Sequence, residues 1–310
     1  MTVSHPRLRE SENPEVSMEK RILFMDMDNT LLTTDKTITP ENDAAIRRAL
    51  LLGHQIVICS GRPLVGIISL ARSLHLTDPG CFIIAFNGAL IYDCGADRAL
   101  YRSRIPMADV RILFDQADRH GLYIHTYGRE GVLIRKECEE SRFYLDRIHA
   151  PFRVIPGLPD GLDEEPEKAL LIELHDKNRL DRYRRETDLL VGDRLSLFYS
   201  NDYLLECVRK GTSKGAAVKW LCSYLNIPLE NSVAAGDAEN DISMLEAAGT
   251  GCAMQNAEEA CKNAADYITK RDCNHSGVAE IIDKFIIADE IPYGQSFHQA
   301  CMQTGLSGEG

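Results

Sequence analysis

Two aspartates at the end of an apolar run are the first residues of this sequence that could carry chemistry. Asp26 and Asp28 stand in the stretch FMDMDNTLL, at the end of a predicted strand. Turn formation or helix capping would account for one aspartate and leave the other unpaired. Two carboxylates this close repel each other unless a cation lies between them, and Mg²⁺ prefers oxygen ligands of this kind. The pair therefore favours a metal-assisted reaction over a simple turn.

A second acidic cluster follows another short apolar run, in the stretch SVAAGDAENDISML. Asp237, Asn240 and Asp241 could form only a helix start, because Asp caps helices and acidic residues are favourable in the first turn. That explanation covers all three residues, but it adds negative charge to the edge where Asp26 and Asp28 are expected. A divalent cation shared by the two clusters would relieve the repulsion.

Lys214, Ser60 and Gly61 are the residues that could hold a phosphate. Lys214 lies in the first turn of a predicted helix, where the helix dipole disfavours a cation by about 0.3 to 1 kcal/mol unless an anion compensates it. Taken alone, it is more typical of a lysine whose ammonium group reaches water. Ser60 and Gly61 follow a predicted strand and could donate hydrogen bonds to an anion, although Ser-Gly is also an ordinary turn pair.

These clusters gain meaning from the elements that must position them. Near-continuous apolar strands are predicted at 22–27, 55–59 and 82–86, and helices at 40–51 and 64–74 alternate with them. This order predicts an α/β fold, a Rossmann-like parallel sheet with helices on both faces. In such sheets ligands bind outside the carboxyl ends of the strands, which is where all the clusters fall.

The rhythm of elements changes in the middle of the chain and then returns. We predict a core built from residues 20–103 and 210–288, interrupted by an α+β cap at 104–209 that contains an antiparallel sheet. In the second part of the core, helices are predicted at 240–248 and near 277–287. The polar composition of the two ends predicts a disordered extension at 1–19 and a flexible tail at 289–310.

Composition limits the classes of partner. A formal net charge of -12 argues against nucleic acid or an anionic membrane as a partner. The ten cysteines form no C-x-x-C pair, and no apolar run approaches the roughly 18 residues of a membrane span. Because the N-terminal stretch also lacks an apolar signal-peptide core, a cytoplasmic, reduced protein is expected.

Taken in order, the stretches DMDNT, CSGR, SKG and GDAEND resemble the four motifs of the haloacid dehalogenase superfamily of phosphatases. The stretches FNGALIYD, CAMQNAEEACKNAADYIT and GVAEII are similar to its Cof-type branch, sugar-phosphate-like hydrolases with a large cap between the second and third motifs. The resemblance covers about residues 20–288. Asn29 departs from the pattern, in which glycine is common after the second aspartate, but the departure leaves both carboxylates intact.

The resemblance implies roles for the reacting residues. Asp26 would be the nucleophile that forms an aspartyl-phosphate, and Asp28 the general acid and then the general base. Ser60, Gly61 and Lys214 would bind the transferred phosphoryl group.

The same resemblance implies a Mg²⁺ site. Its ligands would be the Asp26 carboxylate, the Asp28 backbone carbonyl and the Asp237 carboxylate, with Asn240 and Asp241 in support. Arg62, Asn87 and Asn240 are placed near the mouth of the site, where substrate contact and a structural role are both open.

The sequence thus predicts a Mg²⁺-dependent phosphatase for a small phosphorylated metabolite resembling a sugar phosphate. Two alternatives stay open: a phosphosugar mutase that uses the same aspartyl-phosphate, and a non-catalytic protein that binds a phosphorylated metabolite. Release of phosphate would separate them.

The sequence of the cap contains no motif that indicates a substrate or an oligomeric state. Its charged helix is more typical of a solvent-exposed face. His125, Arg142, Tyr144 and Arg147 are therefore not assigned to the site.

Overall fold

A computed structural model describes residues 19–148 and 150–288 of the chain. The predicted disordered extension, apart from Glu19, and the predicted flexible tail lie outside these ranges. The strands, in chain order, are β1 (Ile22–Asp26), β2 (Gln55–Cys59), β3 (Cys81–Ala85), β4 (Leu90–Asp93), β5 (Arg98–Arg102), β6 (Tyr123–Gly128), β7 (Gly131–Ile134), β8 (Phe152–Val154), β9 (Lys168–Ile172), β10 (Leu195–Asn201), β11 (Leu204–Arg209), β12 (Ser232–Gly236), β13 (Thr250–Ala253) and β14 (Tyr267–Ile268).

Helices connect these strands and cover the sheets. They are α1 (Pro40–Leu51), α2 (Leu64–Ser73), α3 (Met107–His120), α4 (Glu139–Ile148), α5 (Lys177–Val191), α6 (Lys214–Leu225), α7 (Ile242–Leu245), α8 (Glu259–Asn263) and α9 (Gly277–Ile281). Local signals explain several ends. The Thr39 hydroxyl caps α1, whose first residue is Pro40, and α3 stops at Gly121, which has a φ of 60°.

The first sheet has eight strands in the order β14-β13-β12-β1-β2-β3-β4-β5. Its strands from β14 to β3 pair in parallel, and every residue of the central β1 is buried. This arrangement confirms the predicted α/β fold. The sequence did not predict β4 and β5, which add to the edge in antiparallel fashion. For β5 the reason is that it is at least partly exposed along its whole length, so it lacks the apolar run that marked the other strands.

The second sheet has six strands in the order β10-β11-β9-β6-β7-β8. Its neighbouring strands are antiparallel except for β7 and β8, which pair in parallel. The predicted antiparallel pattern therefore misses one pairing. Helices α3 and α5 pack against each other on this sheet and bury an apolar cluster that includes Leu113, Phe114 and Leu180.

Two predicted helices are shorter than their sequence pattern indicated. The stretch predicted as a helix at 240–248 begins with a 3-10 turn, Glu239–Asp241, before the single turn of α7. The stretch predicted at 277–287 changes from α9 into a π-helical turn, Ile282–Ile286. The 3-10 turn packs against α6 and α8, and the π-helical turn packs against α1 and β1, so tertiary contacts override local propensity there. Within the described ranges, no helix has the length and apolarity to cross a bilayer.

Candidate active site

A cavity of about 290 Å³ opens at the carboxyl ends of β1, β2 and β12. Most of the side chains singled out in the sequence line it, and they come from separate parts of the chain. These residues are Asp26, Asp28, Ser60, Gly61, Arg62, Asn87, Asp237 and Asn240. Lys214 and Asp241 lie behind this lining, 1% and 0% exposed. The fold therefore gathers all the sequence candidates around one space.

Lys214 forms the floor of the site. Its ammonium group donates hydrogen bonds to Asp26 Oδ1 and to Asp241 Oδ1, both at 2.5 Å. The interpretation that Lys214 alone suggested, a lysine reaching water, is wrong, because the side chain is buried between two carboxylates. Burial by itself would lower its pKa, but Asp26 and Asp241 raise the pKa above its ordinary value. A buried cation at a helix start is thus compensated by two anions.

The turn after β1 explains the spacing of the first two aspartates. The amides of Leu31 and Leu32 donate to the carbonyls of Asp26 and Met27, at 3.2 and 2.9 Å, which folds the chain back over the strand end. Asn29 takes a left-handed conformation in this turn, with a φ of 59°. Glycine adopts that conformation freely and asparagine tolerates it, so the departure noted in the sequence is compatible with the turn.

The second acidic cluster is held by hydrogen bonds from its own backbone. Asp241 Oδ2 accepts from the amides of Asp237 and Ala238, at 3.0 and 3.2 Å, and so shapes the turn after β12. Asp237 Oδ1 accepts from the hydroxyl of Thr30 at 2.9 Å. Thr30 is fully buried and was not assigned a role from the sequence. The sequence signal for a role of Thr30 was its position two residues after Asp28, in a turn that must pack on β12.

The carboxylates of this site suit a hard divalent cation. Asp26, Asp237 and Asp241 each offer an oxygen within 4.8 Å of the others. Burial raises the pKa of Asp26, and repulsion from Asp241 adds to this effect against the attraction of Lys214. Burial likewise raises the pKa of Asp237 to about 6. An ion with oxygen preference would relieve this crowding, so the donor set fits Mg²⁺, with Asp26 and Asp237 as the freer ligands.

The loop after β2 supplies donors for an anion. Ser60 Oγ accepts from the amide of Arg62 at 3.2 Å, and no described residue takes its hydroxyl proton, which is therefore free to donate. The guanidinium of Arg62 binds both oxygens of Asp28, at 3.0 and 2.8 Å. Lys36 also donates to Asp28, at 2.8 Å. Arg62 thus lines the cavity with its guanidinium engaged by Asp28.

Side chains of the six-stranded sheet reach the same cavity. Lys168, Glu206, Tyr144 and Ser200 are among its lining residues. Lys168 and Glu206 are 1% and 5% exposed and are joined by an ion pair of 3.2 Å. Sequence reasoning missed both. An acidic residue inside the apolar stretch LLECV was a signal for Glu206, whereas Lys168 follows Glu167 at the start of its apolar stretch and gave no such signal.

The four cap residues that the sequence left unassigned differ in whether they line the cavity. His125 is fully buried behind Tyr144, in contact with Tyr127 at 3.2 Å. Arg142 and Arg147 are outside the cavity lining, and the guanidinium of Arg147 packs over the Phe143 ring. Tyr144 is therefore the member of the set that meets the site directly.

Comparison with known proteins shows the family to which these site residues belong. Residues 23–282 match the model of a family described as haloacid dehalogenase-like hydrolase. The chain is 28% identical over 279 residues to the pyridoxal phosphate phosphatase YbhA of Escherichia coli, covering 87% of this chain and 100% of that protein. It is also 28% identical over 269 residues to the 5-amino-6-(5-phospho-D-ribitylamino)uracil phosphatase YcsE of Bacillus subtilis, with coverage of 86% and 96%.

The fold has solved counterparts as well. A crystal structure of a haloacid dehalogenase-like hydrolase from Bacteroides thetaiotaomicron superposes with a TM-score of 0.79 at 29% identity. The similarity covers 86% of this chain and 99% of that one.

Proposed function

Because this chain belongs to the Cof-type branch of the haloacid dehalogenase-like hydrolases and is a hydrolase of phosphoric monoesters, we propose that it cleaves a small phosphorylated metabolite, using Mg²⁺ and an aspartyl-phosphate at Asp26. The observation that carries the proposal is the buried contact of Asp26 with Lys214, on the floor of a cavity that Ser60 and Asp237 also line. This arrangement supports a nucleophile that is held and charge-compensated by its neighbours.

The reaction proceeds in two displacements at phosphorus. A carboxylate oxygen of Asp26 attacks the phosphorus atom, and the bond from phosphorus to the leaving oxygen breaks as Asp28 gives that oxygen a proton. In the second step Asp28 takes a proton from a water molecule that attacks the aspartyl-phosphate. Phosphate leaves, and the Asp26 carboxylate is restored.

To act in this way, Asp28 must leave its cationic partners and carry a proton, taken up from solvent, when the ester is bound. Both of its oxygens accept from Arg62, and Oδ1 accepts from Lys36 as well. We propose that Arg62 and Lys36 release Asp28 when the ester enters, since the leaving oxygen then competes for the same carboxyl group. The salt bridges that hold Asp28 are partly exposed, which keeps the cost of breaking them low.

The remaining residues of the site bind the charged phosphoryl group and the metal ion. The Ser60 hydroxyl and the Gly61 amide donate to phosphoryl oxygens, while Lys214 offsets the charge that develops on them. Asp26, the Asp28 carbonyl and Asp237 would hold Mg²⁺, with Asn240 and Asp241 in support. When bound, the ion supplies charge neutralisation and polarises the phosphoryl group. We propose that the six-stranded sheet is a cap that keeps bulk water from the site.

The test is phosphate release from a panel of phosphomonoesters, with Mg²⁺ and with EDTA, on the native chain beside Asp26→Asn. The panel includes sugar phosphates and the substrates named for the two relatives, pyridoxal phosphate and the ribitylaminouracil phosphate. We expect release that requires Mg²⁺ and is nearly abolished in Asp26→Asn. An exposed Asp283→Asn variant is the matched control and should keep the native rate.

Two outcomes would overturn the mechanism. Turnover retained by Asp26→Asn in the presence of Mg²⁺ would exclude this aspartate as the nucleophile. Absence of release from every ester by the native chain, together with transfer of the phosphoryl group to a sugar, would instead indicate a mutase.

A further inference from the structure

A buried polar atom at the boundary between the two sheets has no hydrogen-bond partner among the described residues. Asn87 Oδ1 is enclosed, and no described residue donates a hydrogen bond to it. The other end of the same amide is satisfied, because Nδ2 donates to Glu206 Oε2 at 3.1 Å. Asn87 is 7% exposed and lines the same cavity as Asp26. A buried acceptor without a donor costs about 1 to 3 kcal/mol, so its retention beside a ligand cavity calls for a ligand group.

The backbone at Asn87 and the residue before it is strained. Phe86 and Asn87 are consecutive residues other than glycine with left-handed backbones, at φ values of 52° and 55°. Their amides donate to the carbonyls of Arg62 and Ser60, both at 3.1 Å, and so hold the turn against the phosphate-binding loop. Strain of this kind persists where the surrounding structure enforces it, and it gathers at functional sites.

Glu206 provides a second acceptor beside Asn87. Its Oε2 accepts from both Asn87 and Lys168, while Oε1 accepts no hydrogen bond from a described residue. Lys168 neutralises the carboxylate, and its ammonium group also donates to the Gly61 carbonyl at 2.9 Å. The pair Lys168–Glu206 therefore carries no net charge, which makes it a poor partner for an ionic group and a good one for a neutral donor.

We propose that Asn87 Oδ1 and Glu206 Oε1 form an acceptor pair that binds a hydroxyl group of the leaving alcohol. An alcohol proton can be donated to either oxygen. A carboxylate at this place would be repelled by Glu206, and an ammonium group would meet Lys168 and Arg62. This inference rests on the proposed phosphatase activity and adds to it a chemical class of substrate, an ester whose alcohol carries a second hydroxyl, and the residues that select it.

The experiment compares two esters on three variants. The first ester is the best substrate from the phosphate-release panel, and the second is its analogue in which the other hydroxyls of the alcohol are replaced by hydrogen. The variants are Asn87→Gly, which tolerates the left-handed backbone, and Glu206→Gln, which keeps the side-chain volume. Asn226→Gly is the control, because Asn226 is an exposed residue with a similar φ of 54°.

We expect the native chain and Asn226→Gly to prefer the hydroxylated ester by about ten- to hundredfold in kcat/KM, and the preference to fall several-fold or more in the other two variants. The ratio of the two esters is insensitive to the fraction of folded enzyme, since misfolding lowers both rates equally. Equal kcat/KM for the two native reactions, or a ratio unchanged in both Asn87→Gly and Glu206→Gln, would overturn the acceptor pair while leaving the phosphatase intact. Failure of the native chain to release phosphate from any ester would overturn the activity itself, and the acceptor pair with it.

Discussion

Lys168 donates from its ammonium group to the carbonyl of Gly61 at 2.9 Å. The two residues belong to different sheets, because Lys168 opens β9 of the six-stranded sheet and Gly61 follows β2 of the eight-stranded one. One buried cation therefore ties the six-stranded sheet to the loop that carries Ser60. The position of that sheet and the shape of the proposed phosphate site are consequently linked.

Loss of this cation should destabilise the protein strongly. In Lys168→Met the carboxylate of Glu206 stays buried without its ion partner, and we expect the free energy of unfolding to fall by about 3 kcal/mol or more. The double variant Lys168→Met/Glu206→Gln removes the uncompensated charge and should recover at least half of that loss. Urea unfolding of the native chain and both variants gives the three values.

A surface lysine provides the control for this comparison. Lys177 pairs with Asp202 at 2.6 Å, but both side chains are largely exposed. Lys177→Met should therefore change the free energy of unfolding by less than about 1 kcal/mol. Equal losses of unfolding free energy in Lys168→Met and Lys177→Met would show that the buried contacts of Lys168 stabilise the protein no more than a surface ion pair does.

A buried hydroxyl should tune metal binding. Thr30→Val keeps the shape of the side chain but removes the hydrogen bond that orients Asp237, so we expect the Mg²⁺ affinity to fall about tenfold or more. Calorimetric titration of the variant with Mg²⁺ measures this directly, without any substrate. Thr33→Val is the matched control, since the Thr33 hydroxyl contacts Thr37 and no carboxylate of the site. An unchanged Mg²⁺ affinity in Thr30→Val would show that the Thr30 hydroxyl does not position Asp237 for metal binding.

The close approach of α6 to α7 should depend on one glycine. A Cβ atom added at Gly215 would lie 2.0 Å from the carbonyl oxygen of Ser243. Gly215→Ala must therefore push apart the elements that carry Lys214 and Asp241, and we expect a loss of about 3 kcal/mol or more in unfolding free energy together with lower turnover.

Gly157→Ala serves as the comparison for this substitution. Apart from Gly157 and its chain neighbours, no described residue has an atom within 4 Å of the Cβ it would introduce, so we expect little change in stability or activity. Thermal unfolding of both variants separates the two cases. A native melting temperature in Gly215→Ala would show that the contact can relax at no cost.

The sequence predicted those parts of the molecule in which local pattern and tertiary structure agree. Apolar runs of four to six residues are typical of buried parallel strands, and the polar residues at their ends fall at one edge of the sheet by topology alone. That logic alone places Asp26, Ser60 and Asp237 together. It missed β5, whose exposure along its length gives no periodic signal.

The contacts that the sequence could not predict join distant segments of the chain. Lys168 and Glu206 are 38 positions apart in the chain, and Asn87 meets Glu206 across 119 positions. Glu206 lies alone among apolar neighbours, so the sequence marks it as unusual without indicating its partner, whereas Lys168 directly follows Glu167. Lys214 shows the opposite case, because its local context favoured exposure and only the fold buried it.

Stability should depend on pH through a buried histidine. Burial, with a smaller effect of Lys168, lowers the pKa of His125 from 6.5 to about 3. Tyr123, Tyr127 and Tyr144 surround its ring and stay neutral in this range. The unfolded chain therefore takes up a proton near pH 6.5 that the folded chain refuses until about pH 3. Because the unfolded state binds more protons, the free energy of unfolding falls as the pH falls between these values.

Replacement of this histidine by leucine removes that proton from the unfolded state. We expect the unfolding free energy of the native chain to fall, relative to that of His125→Leu, by on the order of 3 kcal/mol between pH 6.5 and pH 4. Urea unfolding at pH 7.5, 6, 5 and 4 measures the difference, and any carboxylate effects cancel between the two proteins. His175→Leu gives a contrast of opposite sign, because the hydrogen bond to Glu139 raises the pKa of this exposed histidine and makes its contribution fade as the pH rises. Parallel pH curves for the native chain and His125→Leu would mean that His125 accepts a proton in the folded state.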